Sequence, residues 1–143
     1  MSDVWAGIAG EFLHLYPRGT RLLAVAGADA ERSRLAAGAL AAALGAAGSE
    51  TVRVHVRAVD ERMLREEVIA PFRAGSSGAV LVVSGPGALL GERARRLWNF
   101  TLWQLAGDEP PHTAASALVE MTDPQHPMRR FSDYCSAPAS YPA

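Results

Sequence analysis

Residues Arg21 to Ala36 read RLLAVAGADAERSRLA. The first six, Arg21 to Ala26, form a short run with apolar side chains at consecutive positions, the pattern of a strand buried on both faces. Gly27-Ala28-Asp29-Ala30 follows as a loop, and a helix is expected from about Glu31 to Leu44, closed by Gly45 or Gly48. A buried strand leading through a glycine loop into a helix is half of a βαβ unit. It places the chain among α/β domains with a parallel sheet covered on both faces.

The same alternation extends in both directions. An opening helix is expected over about Asp3 to Leu15, with Val4, Trp5, Ile8, Phe12 and Leu15 as its apolar stripe and Tyr16-Pro17-Arg18-Gly19 as its end. Downstream, Thr51 to Val59 (TVRVHVRAV) alternates strictly at first: Val52, Val54 and Val56 point one way, and Arg53, His55 and Arg57 the other. Only a strand with one wet face tolerates that, so it belongs at a sheet edge. Asp60 is a plausible N-cap for a helix over about Glu61 to Ala70, which Pro71 interrupts. Gly75 to Gly78 form a turn, Ala79 to Val83 (AVLVV) a central strand, and Ser84 to Gly87 a break. A short helix over Glu92 to Leu97, a fourth strand over Phe100 to Leu105, a connection at Gly107 to Pro111 and a fifth strand over Ala115 to Glu120 complete the pattern. Residues 122–143 read as a Pro-rich surface tail, so residues 1–143 form one domain, with residues 1–19 as an N-terminal helix and turn.

With 143 residues, 49% of them hydrophobic, the chain can bury a sizeable core without disulfides or metal. A lone cysteine, Cys135, has no partner in the chain, and Met1 to Gly10 lacks the marks of a secretory leader; a cytoplasmic location is expected. The apolar stretches are too short to span a membrane. A net charge of −1 gives no electrostatic footprint for nucleic acid. All 14 basic residues of the Lys/Arg class are Arg, so any mechanism that requires a lysine is excluded. No Cys/His/Asp cluster has metal-ligand spacing; neither a metal nor another cofactor is expected.

The loop after the first strand has the layout of a phosphate-binding loop, in which backbone N–H groups at a helix N-terminus meet phosphate. That chemistry also needs glycines, a Lys and a Ser or Thr for the metal. With Ser33 at the hydroxyl position, the Lys position holds Arg32, the preceding Gly position holds Glu31 and the first Gly position holds Ala26, with Gly27 one residue off. Asp29 and Glu31 place two carboxylates where a phosphate would sit, and like charges about 4 Å apart repel by about 1 kcal/mol even in water.

The order of segments resembles the uridine kinase and phosphoribulokinase group of P-loop kinases. Arg21 to Ala36 resembles the group's first strand, loop and helix, and Leu64 to Gly75 the helix before its third strand. Val80 to Trp103 is similar to its third-to-fourth-strand stretch, with Asn99 in place of an Asp. Ala117 to Phe131 is similar to its last strand and Thr-Asp-Pro tail. The resemblance implies a three-layer P-loop kinase-like fold with a five-stranded parallel sheet ordered 2-3-1-4-5. The departures are chemical. Ser84 stands where the group has a metal-binding acidic residue, the segment carrying its base is reduced to Asp60-Glu61, and only Gln104 to Ala114 remains where it has an arginine-bearing lid. Phosphoryl transfer rests on positioning and charge neutralisation, which these losses remove together.

The expectation is a degenerate relative that binds a small molecule in the relic crevice at the carboxyl ends of the strands, or runs an ATP-independent acid-base reaction there. In the catalytic version Asp29, His55 or Asp60 would carry protons; Gly27, Glu31, Arg32, Ser33, Ser84 and Glu61 would contact the ligand, Arg32 holding an anionic group. The same residues have plainer readings: Asp29, Glu31 and Asp60 as helix caps, Ser33 as an ordinary first-turn residue, His55 as a surface histidine. Two alternatives stay open: a nucleoside kinase with an atypical loop, and a scaffold or homo-oligomer that exposes Arg53, His55 and Arg57 on its edge strand.

Overall fold

The computed structural model describes residues 4–27, 29–75, 78–91, 94–105, 115–123 and 125–130. The elements are α1 (Val4–Leu15), β1 (Arg21–Gly27), α2 (Ala30–Ala46), β2 (Thr51–His55), α3 (Glu61–Met63) running through a π-helical stretch (Leu64–Ile69) into α4 (Ala70–Gly75), β3 (Val80–Pro86), β4 (Phe100–Leu105), β5 (Ala117–Glu120) and β6 (Met128–Arg130). Short 3₁₀ turns cover Gly87–Leu90 and Arg95–Leu97.

The strands form one mixed, mostly parallel sheet in the order β2-β3-β1-β4-β5-β6. The first five are parallel and stand in the expected order, with β2 at an edge. The sixth corrects the expectation of a five-stranded sheet and of a tail from residue 122: Met128–Arg130 adds an antiparallel strand to β5. Charge anchors it. Arg129 forks onto Glu11 of α1 at 3.0 and 3.1 Å, and Arg130 grips Glu120 of β5. The prolines around it concealed a strand too short to show a period.

Strand alternation divides the core in two. Leu23, Val25, Val80, Val82, Phe100, Leu102 and Val119 face α1 and α2, where Ile8, Phe12, Leu40 and Leu44 meet them. Leu22, Ala24, Leu81, Val83 and Leu118 face the other way, toward Leu64, Ile69, Phe72, Leu89 and Trp98. Phe12 is fully buried and meets Phe100 edge-on at 5.5 Å, an arrangement worth about 0.5–1.5 kcal/mol beyond its area. Leu15, expected in that stripe, is exposed in the last turn, and Tyr16 packs on the core beside Phe12 instead. Arg21, though buried, needs no carboxylate: its guanidinium donates to the carbonyls of Tyr16, Gly19 and Gly78 and ties the entry of β1 to that of β3.

Other boundaries move for local reasons. The edge strand stops at His55, not Val59: the bond from Val56 N–H to the Ser84 carbonyl at 2.9 Å closes the last ladder pair, His55 with Ser84. Pro71 does not end the helix. Its ring would meet the carbonyl of Glu67, and the wider π turn just before it, with Ala70 N–H bonded to Arg65 O, accommodates it and lets the helix reach Gly75. The helix expected at Glu92 to Leu97 is a 3₁₀ turn over Arg95–Leu97, with residues 92–93 outside the described residues. Asn99 accepts from Leu22 N–H through Oδ1 and donates its own N–H to Leu22 O, clamping β4 to β1. The expected connection at 107–111, the rest of the presumed lid stretch from 106 to 114, His112 and Cys135 lie outside the described residues. No described helix is long and apolar enough to cross a membrane.

The exit of β2 lies against the end of β3 because position 85 has no side chain. A Cβ at Gly85 would sit 2.7 Å from Val56 Cγ2 and 2.8 Å from Val56 O, and a backbone oxygen cannot swing aside. Gly85→Ala is therefore expected to destabilise the fold by about 1–3 kcal/mol, read as a lower urea midpoint with an unchanged m-value. Unchanged stability would show that the two strand ends are not in this contact.

Candidate functional site

The turn between β1 and α2 is closed from within. Asp29 is the N-cap of α2, in extended conformation, and its Oδ1 accepts from Glu31 N at 2.9 Å and Arg32 N at 3.3 Å. The Ser33 N–H is already bonded to Asp29 O at 3.0 Å. A helix start offers only a few free N–H groups, and here a carboxylate of the chain itself occupies two of them with the charge sign the helix dipole favours. The outer oxygen of Asp29 faces Arg32 Nη1 at 3.5 Å, so that guanidinium is already engaged with an anion.

Beneath this cap lies Gln104. It is the register partner of Gly27, is fully buried, and its Nε2 donates to Asp29 O at 2.9 Å. A Cβ at Gly27 would lie 2.6 Å from Gln104 Cδ and Cγ, and nearer still to Nε2. Gly27 is thus a glycine that makes room for a glutamine. Ser33 is also fully buried, and its hydroxyl donates to Asp29 O at 3.1 Å. Gly27 and Ser33, expected to contact a ligand, are both taken up inside the protein.

Two openings lie near the carboxyl ends of the outer strands. In the first, β2 and β3 set His55 opposite Ser84, and His55 Nδ1 lies 2.8 Å from Ser84 Oγ. With Arg34, Arg53 and Val54 they line a small polar notch of about 250 Å³. The second is larger, about 770 Å³, and is lined by Val59, Asp60, Glu61, Arg62, Ala88, Gly91 and Ala94. Its carboxylates are already engaged: Asp60 Oδ1 caps α3 by accepting from Arg62 N at 3.0 Å and Met63 N at 3.2 Å, and Glu61 pairs with Arg65 at 3.0 Å.

Of the residues predicted from sequence, then, Asp29, Arg32 and Ser33 come together as a closed cap with Gly27 beneath. Glu31 stands exposed beside them, His55 and Ser84 form a bonded pair, and Asp60 and Glu61 line a separate cavity. Three residues escaped that prediction. Gln104 was placed at the start of a lid remnant, yet it is the fifth residue of β4, on the buried face it shares with Phe100 and Leu102; a polar residue on that face was the signal. Arg53 reads only as an exposed edge-strand residue and Arg34 not at all, because only the packing of α2 over the β2 edge brings them to one notch. Among the described residues no three of His, Cys, Asp and Glu gather in a way that could hold a metal ion.

The cap and the plug differ in what they contribute. Asp29→Ala frees two helix-start amides and should cost about 1 kcal/mol. Gln104 has an Oε1 that is buried without a partner, and Asp29 O keeps two other donors when Nε2 is removed. Gln104→Met, of similar volume, should therefore retain stability to within about 1 kcal/mol, the loss of one hydrogen bond offsetting relief of an orphaned acceptor. Chemical denaturation of both variants checks this, and a loss at Gln104→Met larger than at Asp29→Ala would contradict it. Compared with protein-family models, curated proteins and solved structures, the chain matches none.

Proposed function

We propose that the chain is a degenerate, shortened relative of the uridine kinase and phosphoribulokinase group that has lost ATP-dependent phosphoryl transfer and binds a small molecule at the carboxyl ends of its strands. The observation that carries this reading is the occupied start of α2. The amides that would cradle phosphate donate to the Asp29 carboxylate instead, and the Gln104 side chain fills the space over Gly27. The residues present do not suit magnesium triphosphate either. Ser33 has its hydroxyl turned onto a backbone carbonyl, and Ser84, in place of a carboxylate, is bonded to His55.

If the protein runs an acid-base step, His55 is its proton carrier. Asp29 and Asp60 hold their carboxylates on helix-start amides, whereas an imidazole bonded at Nδ1 still has Nε2 with which to pass a proton. The crevice at Asp60 and Glu61 and the separate polar notch at His55 and Ser84 support the reading of a small polar ligand.

A ligand at about 100 times its dissociation constant would add about 2.7 kcal/mol of stability. Millimolar Mg-ATP is expected to leave the melting temperature and the Glu31 and Arg32 amide resonances unmoved, with no ATP consumed. A stabilising shift accompanied by movement of those two resonances would overturn the reading.

A further inference from the structure

We propose that the notch between β2, the end of β3 and the second turn of α2 binds the phosphate group of a phosphorylated small molecule, with Arg34 and Arg53 as its cationic clamps. Arg53 and His55 alternate on β2 and so share the face that α2 covers. Gly38 faces this side chain: a Cβ there would sit 3.1 Å from Arg53 Nη2 and 3.4 Å from its Cζ. The Arg53 guanidinium therefore lies on the surface of α2, and Arg34 is on the same stripe, one turn earlier. Glycine is a poorer helix former than alanine, and at this position it leaves the guanidinium uncrowded.

Neither arginine makes an ion pair with a described residue, unlike Arg32, Arg62, Arg65, Arg129 and Arg130. The opposite wall is the His55–Ser84 pair. Between them a neutral imidazole and a serine hydroxyl carry two protons, and the His55–Ser84 bond uses one. The other remains on Nε2 or on Oγ, whichever partner donates, so the pair keeps one hydrogen for a further acceptor. Two guanidiniums and a third donor from another direction match a tetrahedral oxyanion, whereas a planar carboxylate is satisfied by one arginine fork. A lining that is mostly polar and a volume of about 250 Å³ suit a phosphate group and leave the rest of the ligand outside.

This inference deepens the proposed function and rests on its choice of the strands' carboxyl ends as the binding side. Inorganic phosphate is the probe, titrated at constant ionic strength with chloride as control, while the His55 ring and Ser84 amide resonances are followed. Phosphate, and not chloride, should move both, and Arg34→Gln and Arg53→Gln should each weaken the response about tenfold, as loss of a charge-assisted bond does. Both side chains are exposed, so the variants should fold. Gly38→Ala should weaken phosphate binding while leaving the protein at least as stable. No phosphate-specific movement in the wild type, or an undiminished response in both arginine variants, would overturn the phosphate notch and leave the kinase-loss reading standing. That reading fails separately, through the Glu31 and Arg32 amides under Mg-ATP.

Discussion

The Asp29 carboxylate on the first turn of α2 governs how the carboxyl ends of these strands can be used. A helix start is the readiest anion site a parallel sheet offers, because its amides are unpaired and its dipole is positive. Here the chain supplies the anion itself. The Asp29 carbonyl then draws in the Ser33 hydroxyl and the Gln104 amide, so one residue organises both the cap above and the buried polar cluster below. An external phosphate would have to displace a tethered carboxylate and then sit next to it.

Two glycines hold the surroundings of that cap in place by different means. Gly27 leaves room for a glutamine from the neighbouring strand, and Gly85 lets the exit of β2 fold over the end of β3. The second contact sets His55 beside Ser84 and turns the chain toward the cavity at Asp60 and Glu61. The start of α2, where β1 leads into it, is closed, and an open polar notch lies instead at the β2 edge. The polar groups left over at that edge are arginines, a histidine and a serine, which suit anion recognition better than metal chemistry.

The architecture was largely legible in the residues, and for definite reasons. The Arg21–Ala26 run, the AVLVV strand and the alternation after Thr51 each show their burial in their period, whereas the order of the first five strands was implied only by the resemblance to the kinase group and could not be read from any period. Met128–Arg130 was not legible, because three residues held by ion pairs to Glu11 and Glu120 have no period to read. Pro71 misled because a proline's cost depends on the turn before it, and a π turn shows no sequence signature here. At the site, the capping of Asp29 and Asp60 could be read locally, since an N-cap bonds to residues two and three positions on. The Gln104 plug and the Arg34–Arg53 notch could not, because each joins elements dozens of residues apart.

Amide hydrogen exchange at Glu31 and Arg32 tests the central claim most directly. The account predicts that both amides are protected in the free protein, that Asp29→Ala abolishes the protection while the middle of α2 stays protected, and that Mg-ATP does not change the wild-type rates. Free exchange of both amides in the wild type, with protection gained only when nucleotide is added, would mean that the helix start is an open phosphate cradle and would contradict it.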